Sequence, residues 1–247
     1  MQTSVVRLTL VRNATLLLDY AGRRLLVEPA LDDTGARPPV GNTANARRNP
    51  LVPLPIPAEE IVAGLDGAIV THLHRDHLDD TGQRLLPRDI PVFCQHEDEE
   101  RLRELGLDAR PVGDRLEWDG IELIRPGGRH GTGEIAADLA PDSGFVLRAA
   151  GEPTLYVAGD TIWCAEVEAA IAEHDPDVAV VNASGARFLE GDPIVMTTDD
   201  VAEVAARVPT VVAVHLEAIN HCLETRADVR AQVPAALVPE DGESLEL

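Results

Sequence analysis

Thr71-His72-Leu73-His74-Arg75-Asp76-His77 follows directly on the apolar run Ala68-Ile69-Val70 and puts four side chains able to bind a metal ion within six residues. At the end of an extended strand, residues 72 and 74 point to the same side, and a turn into a following helix brings 76 and 77 round to the same space. Imidazole nitrogen and carboxylate oxygen suit zinc and similar divalent ions. Three imidazoles beside a carboxylate are too many for one tetrahedral ion that takes further ligands from elsewhere. Two ions would use them all.

Upstream, the run from Val5 to Leu10, then Thr15 to Leu18, a turn at Ala21-Gly22-Arg23 and a return over Leu25 to Val27 predict an antiparallel meander. Residues 32–57 are rich in Pro, Gly, Asn and Asp and follow no period, which predicts a long irregular excursion. Ordering such a loop costs entropy, so it is expected to border the metal pocket or to make a subunit contact. Downstream, strand-like runs at Gly67 to Thr71, Val92 to Cys94, Val178 to Val181 and Val211 to Val214 alternate with helix-like stretches at about 79–86, 97–105, 163–174, 198–207 and 225–233. Leu116 to Ile124 and Phe145 to Val157 are β-rich, so the pattern is a mixed α/β layering and not a plain doubly wound sheet. No linker divides the 247 residues, which read as one domain.

Three isolated positions complete the picture. His130 lies in the glycine-rich stretch Arg125-Pro126-Gly127-Gly128-Arg129-His130-Gly131, Asp160 ends Leu155-Tyr156-Val157-Ala158-Gly159 and is followed by Thr161, and His215 ends the run Val211 to Val214. With the HxHxDH string, this order resembles the metallo-β-lactamase superfamily over roughly residues 8 to 235. The resemblance implies an α/β fold of the four-layer αββα sandwich type, with the metal site at one edge of the paired sheets. It also implies His72, His74 and His130 on one ion, Asp76, His77 and His215 on a second, and Asp160 as the bridge. Within the superfamily the sequence is most similar to the branch of ascorbate-6-phosphate lactonase and its bacterial relatives, through the short interval from Asp160 to His215 and the Met196-Thr197-Thr198 helix lead-in. It departs from the pattern at Glu28-Pro29, where Asp-Pro is usual, and in Glu217-Ala218-Ile219-Asn220-His221-Cys222.

The chemistry expected of this set is hydrolysis. A water shared by two ions loses its proton near neutral pH, with Asp76 or Asp160 holding it and relaying the proton. The bond cleaved is expected to be an ester, lactone or phosphoester in a small soluble anion, with a small-nucleotide phosphodiesterase or a non-catalytic metal-binding module as the alternatives. Two divalent transition-metal ions are expected, zinc foremost and manganese next. The 21 basic residues, every one Arg, against 43 acidic ones leave a net charge of -22, which repels nucleic-acid polymers and anionic membranes. A small anion would be drawn by the ions and by Arg48 of the Arg47-Arg48 pair. Asn182, which closes the run Val178 to Val181, and His221 are the other substrate-side candidates, and Glu28 is a candidate carboxylate behind a ligand imidazole. His96 and His174 are expected at the surface.

Cys94, Cys164 and Cys222 are an odd number without CxxC spacing, which points to buried thiols in a reducing compartment. The N-terminus alternates as a strand does and lacks a signal-peptide pattern, so the cytoplasm is the expected location. Homo-oligomerisation is left open.

Overall fold

The computed structural model describes residues 6–139 and 141–247. The meander forms as β1 (Arg7–Arg12), β2 (Thr15–Tyr20) and β3 (Arg23–Val27), paired antiparallel in that order; Val5, where the sequence reading began the first strand, lies outside the described residues. From β3 the sheet continues in parallel through β4 (Gly67–Val70), β5 (Pro91–Cys94) and β6 (Asp108–Pro111). A short β13 (Ser244–Glu246) pairs with the free side of β1 and completes seven strands.

The second sheet has six strands. Three of them, β7 (Arg115–Trp118), β8 (Ile121–Ile124) and β9 (Phe145–Ala149), run antiparallel into β10 (Leu155–Val157). β10 then lies parallel to β11 (Val178–Asn182), and β11 to β12 (Thr210–Val214). The β-rich stretch Leu116 to Ile124 is thus a hairpin. Its two-residue turn, Asp119-Gly120, takes positive φ at both positions, as the twist of the flanking strands requires.

Strand alternation builds the layers. Leu8, Leu16, Leu18 and Leu25 of the first sheet meet Leu123, Leu147, Val180 and Val212 of the second in one inner core. The alternate residues face outward. Leu26, Ala68, Val70 and Val92 pack with Ile61 of α1 (Ala58–Ile61), Leu78 and Leu86 around α2 (Asp80–Leu85), and Leu102 of α3 (Glu99–Glu104), which a 3-10 turn at His96–Asp98 leads in. On the far side Val146, Ala179, Val181 and Val211 pack with Val167 and Ile171 of α5 (Ala165–His174), Val201 and Val204 of α6 (Thr198–Ala205), and Val229 of α7 (Arg226–Gln232). The expected four-layer αββα sandwich is the observed one. α4 (Gly133–Leu139) follows the glycine-rich stretch, where the sequence predicts no helix. Among the described residues no helix is long and apolar enough to cross a membrane.

Of the cysteines only Cys94 is fully buried, while Cys164 and Cys222 are half-buried. His96 is exposed and His174 is half-buried beside Arg148.

α2 is fixed against the end of β3. Its N-cap Asp79 accepts from the Gly82 amide with one carboxylate oxygen and from the Asp32 amide with the other. A β-carbon on Gly82 would stand 1.8 Å from the Pro29 carbonyl oxygen, so only glycine fits. Gly82→Ala is expected to cost about 3 kcal/mol or more of stability in denaturant unfolding. Gly106→Ala, where a β-carbon meets nothing within 4 Å but φ is positive, is expected to cost about 1 kcal/mol.

Candidate metal centre

Six of the seven ligand-type side chains leave the C-terminal ends of strands with parallel neighbours, where open sheets place their sites, and His130 comes from the loop after the antiparallel β8. β4 leads into Thr71-His72, and the chain then turns, with the His77 and Leu78 amides donating to the His74 carbonyl. β10 leads through Gly159 to Asp160, and β12 leads to His215. Gly159 has positive φ, and a β-carbon there would lie 3.1 Å from the Ser143 carbonyl oxygen and 3.3 Å from Thr71. Glycine lets the two sheets close on Asp160. Glu28 and His215 also hold positive φ, an uncommon state for such residues that marks sites where the surroundings overrule the backbone.

Two groups of ligand atoms result, each with its atoms within 4.8 Å of one another: His72, His74, His130 and Asp160; and Asp76, His77, Asp160 and His215. Asp160 stands in both. One of its oxygens lies 3.2 Å from His77 Nε2, 3.5 Å from His130 Nε2 and 3.9 Å from His72 Nε2, and the other lies 3.8 Å from His215 Nε2. Asp76 is 3.3 Å from His215 Nε2. The structure therefore gathers all seven ligand candidates named from the sequence.

Four of the five imidazoles have a group behind them, which sets their orientation. Glu28 accepts from the Thr71 amide with one oxygen and lies 3.2 Å from His77 Nδ1 with the other. Asp142, its side chain fully enclosed, lies 3.2 Å from His72 Nδ1. The Ile194 carbonyl is 2.7 Å from His130 Nδ1, and Ser184 Oγ and Cys222 Sγ are 3.3 and 3.5 Å from His215 Nδ1. Asp142, Ser184, Cys222 and Ile194 escape sequence reading, because nothing in their own neighbourhoods signals a ligand. Asn182 is near the site as expected, but it donates to Asp160 at 2.6 Å and steadies the shared carboxylate instead of lining the cavity.

The donors fit divalent ions. His77 Nε2 and His215 Nε2 are buried without a hydrogen-bond partner, which is costly unless a cation draws on them. Burial opposes charge on His77, yet Asp160 and Glu28 outweigh it and hold its pKa well above the usual imidazole value. Burial likewise opposes charge on His215, where Asp160, Cys222 and Asp76 prevail. Burial works against Asp160 too, but His77 and His215 keep it well below the carboxylate range. His72 is pushed well below its usual value by burial first, then by His77 and His74.

A cavity of about 290 Å³ opens on both groups, bounded by His74, Asp76, His130 and Asp160. The rest of its wall is mainly apolar: Pro38, Pro39, Val40, Leu139, Phe188, Ile194 and Ile219. The excursion borders the pocket as its length suggests. Asn220 latches it in place, accepting from the Val40 amide and Asn49 Nδ2 while donating to Val40 O, Thr43 Oγ1 and Asn45 O. Arg48 does not serve the site: its exposed guanidinium donates to the Gly35 and Ala36 carbonyls. Arg37 occupies the cavity wall instead, 3.1 Å from Asp32. His221 lines the same cavity.

The fold and the clustered His/Asp groups define a metal-dependent hydrolase of the metallo-β-lactamase type, and similar known proteins agree. Residues 23–216 match the family model described as "Beta-lactamase superfamily domain". The chain is 35% identical over 251 residues to "UPF0173 protein YddR" of Bacillus subtilis (strain 168), covering 97% of this chain and 99% of that protein. It superposes on a "possible metal-dependent hydrolase" from Veillonella parvula DSM 2008 with a TM-score of 0.94 at 35% identity, covering 99% of this chain and 100% of the other. The isothiocyanate hydrolase from Delia radicum gut bacteria gives a TM-score of 0.92 at 34% identity, covering 98% and 99%. The chain belongs to the UPF0173 family of metal-dependent hydrolases within the beta-lactamase superfamily.

Cations entering these groups displace protons from His77 and His215, so metal binding should strengthen as pH rises from 5 to 8. Addition of zinc to lightly buffered protein should release protons, measured with a pH electrode; uptake without release would contradict the protonation described. Asn220→Ala should leave the unfolding midpoint nearly unchanged but speed proteolysis between residues 40 and 48, since it removes the latch and not the core.

Proposed function

We propose that the chain is one hydrolase domain holding two divalent ions, zinc foremost, and that its substrate is a small molecule with an apolar body and an electrophilic carbon of the isothiocyanate kind. The observation that carries this reading is the cavity: seven ligand side chains in two groups sharing Asp160, beneath a mostly apolar wall. The 34% identical isothiocyanate hydrolase supports the substrate class. When bound, such ions lower the pKa of water toward neutrality and polarise the atom under attack.

The chain's own residues supply the rest. Asp160, steadied by Asn182, sets the spacing of the two groups, and Glu28 and Asp142 aim His77 and His72. Asp76, the most exposed carboxylate of the set at 14% of its side chain, reaches the cavity and is placed to hold the attacking water. Pro38, Pro39 and Phe188 exclude bulk water around the organic group. Water adds across the N=C bond of R–N=C=S to give R–NH–C(=O)–SH, which breaks to R–NH2 and O=C=S.

A lactone, ester or phosphoester anion, as in the ascorbate-6-phosphate lactonase branch, is the second reading. Arg37 favours it, because this buried guanidinium in the wall leaves Nη2 without a hydrogen-bond partner.

Elemental analysis after reconstitution should give about two ions per chain. Asp160→Asn should weaken both, whereas His215→Ala weakens mainly one. The reconstituted enzyme should release amine and carbonyl sulfide from benzyl isothiocyanate faster than it opens sugar-phosphate lactones. The opposite preference, lost in Arg37→Met, would move the assignment to the second reading, and a stoichiometry of one would end the two-ion account.

A further inference from the structure

Of the polar side chains in the cavity wall, His74, Asp76, His130 and Asp160 belong to the ligand groups. Asn49 gives its amide to Asn220 and accepts from the Asn220 amide nitrogen, and the exposed Arg75 reaches toward Asp80 at 3.4 Å. Two remain. Arg37 is held by Asp32, and its guanidinium carries donors and no acceptor, so it can bind charge but offers nothing to take a proton from water. His221 is buried with 6% of its surface exposed, lines the cavity, and its Nδ1 has no hydrogen-bond partner.

The position of His221 is not loose. Its neighbour Asn220 is the latch to the excursion, and its own carbonyl accepts from the Arg187 amide at 3.3 Å. A buried imidazole on a backbone held this firmly, with a ring nitrogen unsatisfied, stands beside the substrate space for a reason other than packing.

We propose that His221 is a further catalytic residue of this site, carrying a proton to the substrate atom that gains an electron pair: the nitrogen when water adds to an isothiocyanate, or the departing oxygen when the carbon–oxygen bond of an ester breaks. The proposal rests on the hydrolytic reading above, but not on the isothiocyanate as its substrate. With an isothiocyanate, the water oxygen bonds to carbon, the N=C π pair moves to nitrogen, and nitrogen takes a proton. One ring nitrogen of the imidazole takes the proton released by the water and passes it to the substrate nitrogen, so the ring ends in the protonation state and tautomer in which it began. With an ester the carbon–oxygen bond breaks and the departing oxygen takes the proton. Burial favours the neutral ring that such a relay needs. Asp76 and Asp160 draw the other way, while His215 and His130 add to the effect of burial.

The test compares metal-loaded wild type with His221→Gln and His221→Asn on pairs differing in how much the departing atom needs a proton. For benzyl isothiocyanate or a methyl ester, kcat should fall about 100-fold. For 4-nitrophenyl isothiocyanate or a 4-nitrophenyl ester it should fall less than about fivefold, with metal content unchanged. An equal fall on both members of a pair, or a rise in KM alone, would mean that His221 only shapes the wall, and the proposal would be wrong. Cleavage of esters but of no isothiocyanate would sink the substrate reading while leaving His221 to be judged on the esters. Independently of turnover, the ring nitrogens of His221 in histidine-labelled protein should shift in NMR spectra on titration with benzylurea, a stable analogue of the hydrated product. Unmoved signals would overturn the substrate contact.

Discussion

The buried carboxylate of Asp160 is the interaction on which the structure turns. It lies within 4 Å of four imidazoles drawn from both sheets, and a bare negative charge in that position would be expelled if the histidines did not surround it. Asn182 at the end of β11 and the glycine before it at the end of β10 let the carboxylate sit where the sheets meet. The same arrangement raises the proton affinity of His77 and His215 and leaves buried donors unsatisfied. The site is therefore assembled for cations, with stability given up locally for chemistry.

Around this centre the irregular chain makes the pocket. The excursion is neither strand nor helix, yet it is held by polar side chains: Asn220 and Asn49 exchange hydrogen bonds, and Arg12, buried beneath it, donates to the Val52 and Ala30 carbonyls. Burial pulls the Arg12 pKa down to about 10, a cost offset by those two carbonyls and by Asp79 and Asp32 nearby. The net charge of -22 keeps polyanions off the exterior, but within the cavity nearby groups outweigh distant screened charge. Arg37 and not Arg48 lies in the cavity wall, while Arg48, beside the bridge between Arg37 and Asn49, donates to the backbone of its own loop.

Elements that depend on distant partners were the ones hidden in the chain. β13 has three residues and exists because β1 offers an open edge. α4 is a short run, Glu134-Ile135-Ala136-Ala137-Asp138-Leu139 after Gly133, too brief to stand alone, and Ile135 and Leu139 pack against Ile194 and Phe188. Tertiary packing sustains both.

What the sequence by itself determined was the layering and the ligand set. Near-continuous apolar runs bury both faces of their strands, one against the second sheet and one against helices, and an HxHxDH turn after a buried strand gathers its side chains in one place, so His72, His74, Asp76 and His77 were legible from spacing, while His130, Asp160 and His215 were legible only through the resemblance to the metallo-β-lactamase superfamily. Only the tertiary structure decided which groups stand behind the ligands and what lines the cavity. Asp142, Ser184, Arg37 and Asn220 reach the site from segments whose local sequence carries no signal, because hydrogen bonds across more than thirty residues of chain leave no period for a reader to find.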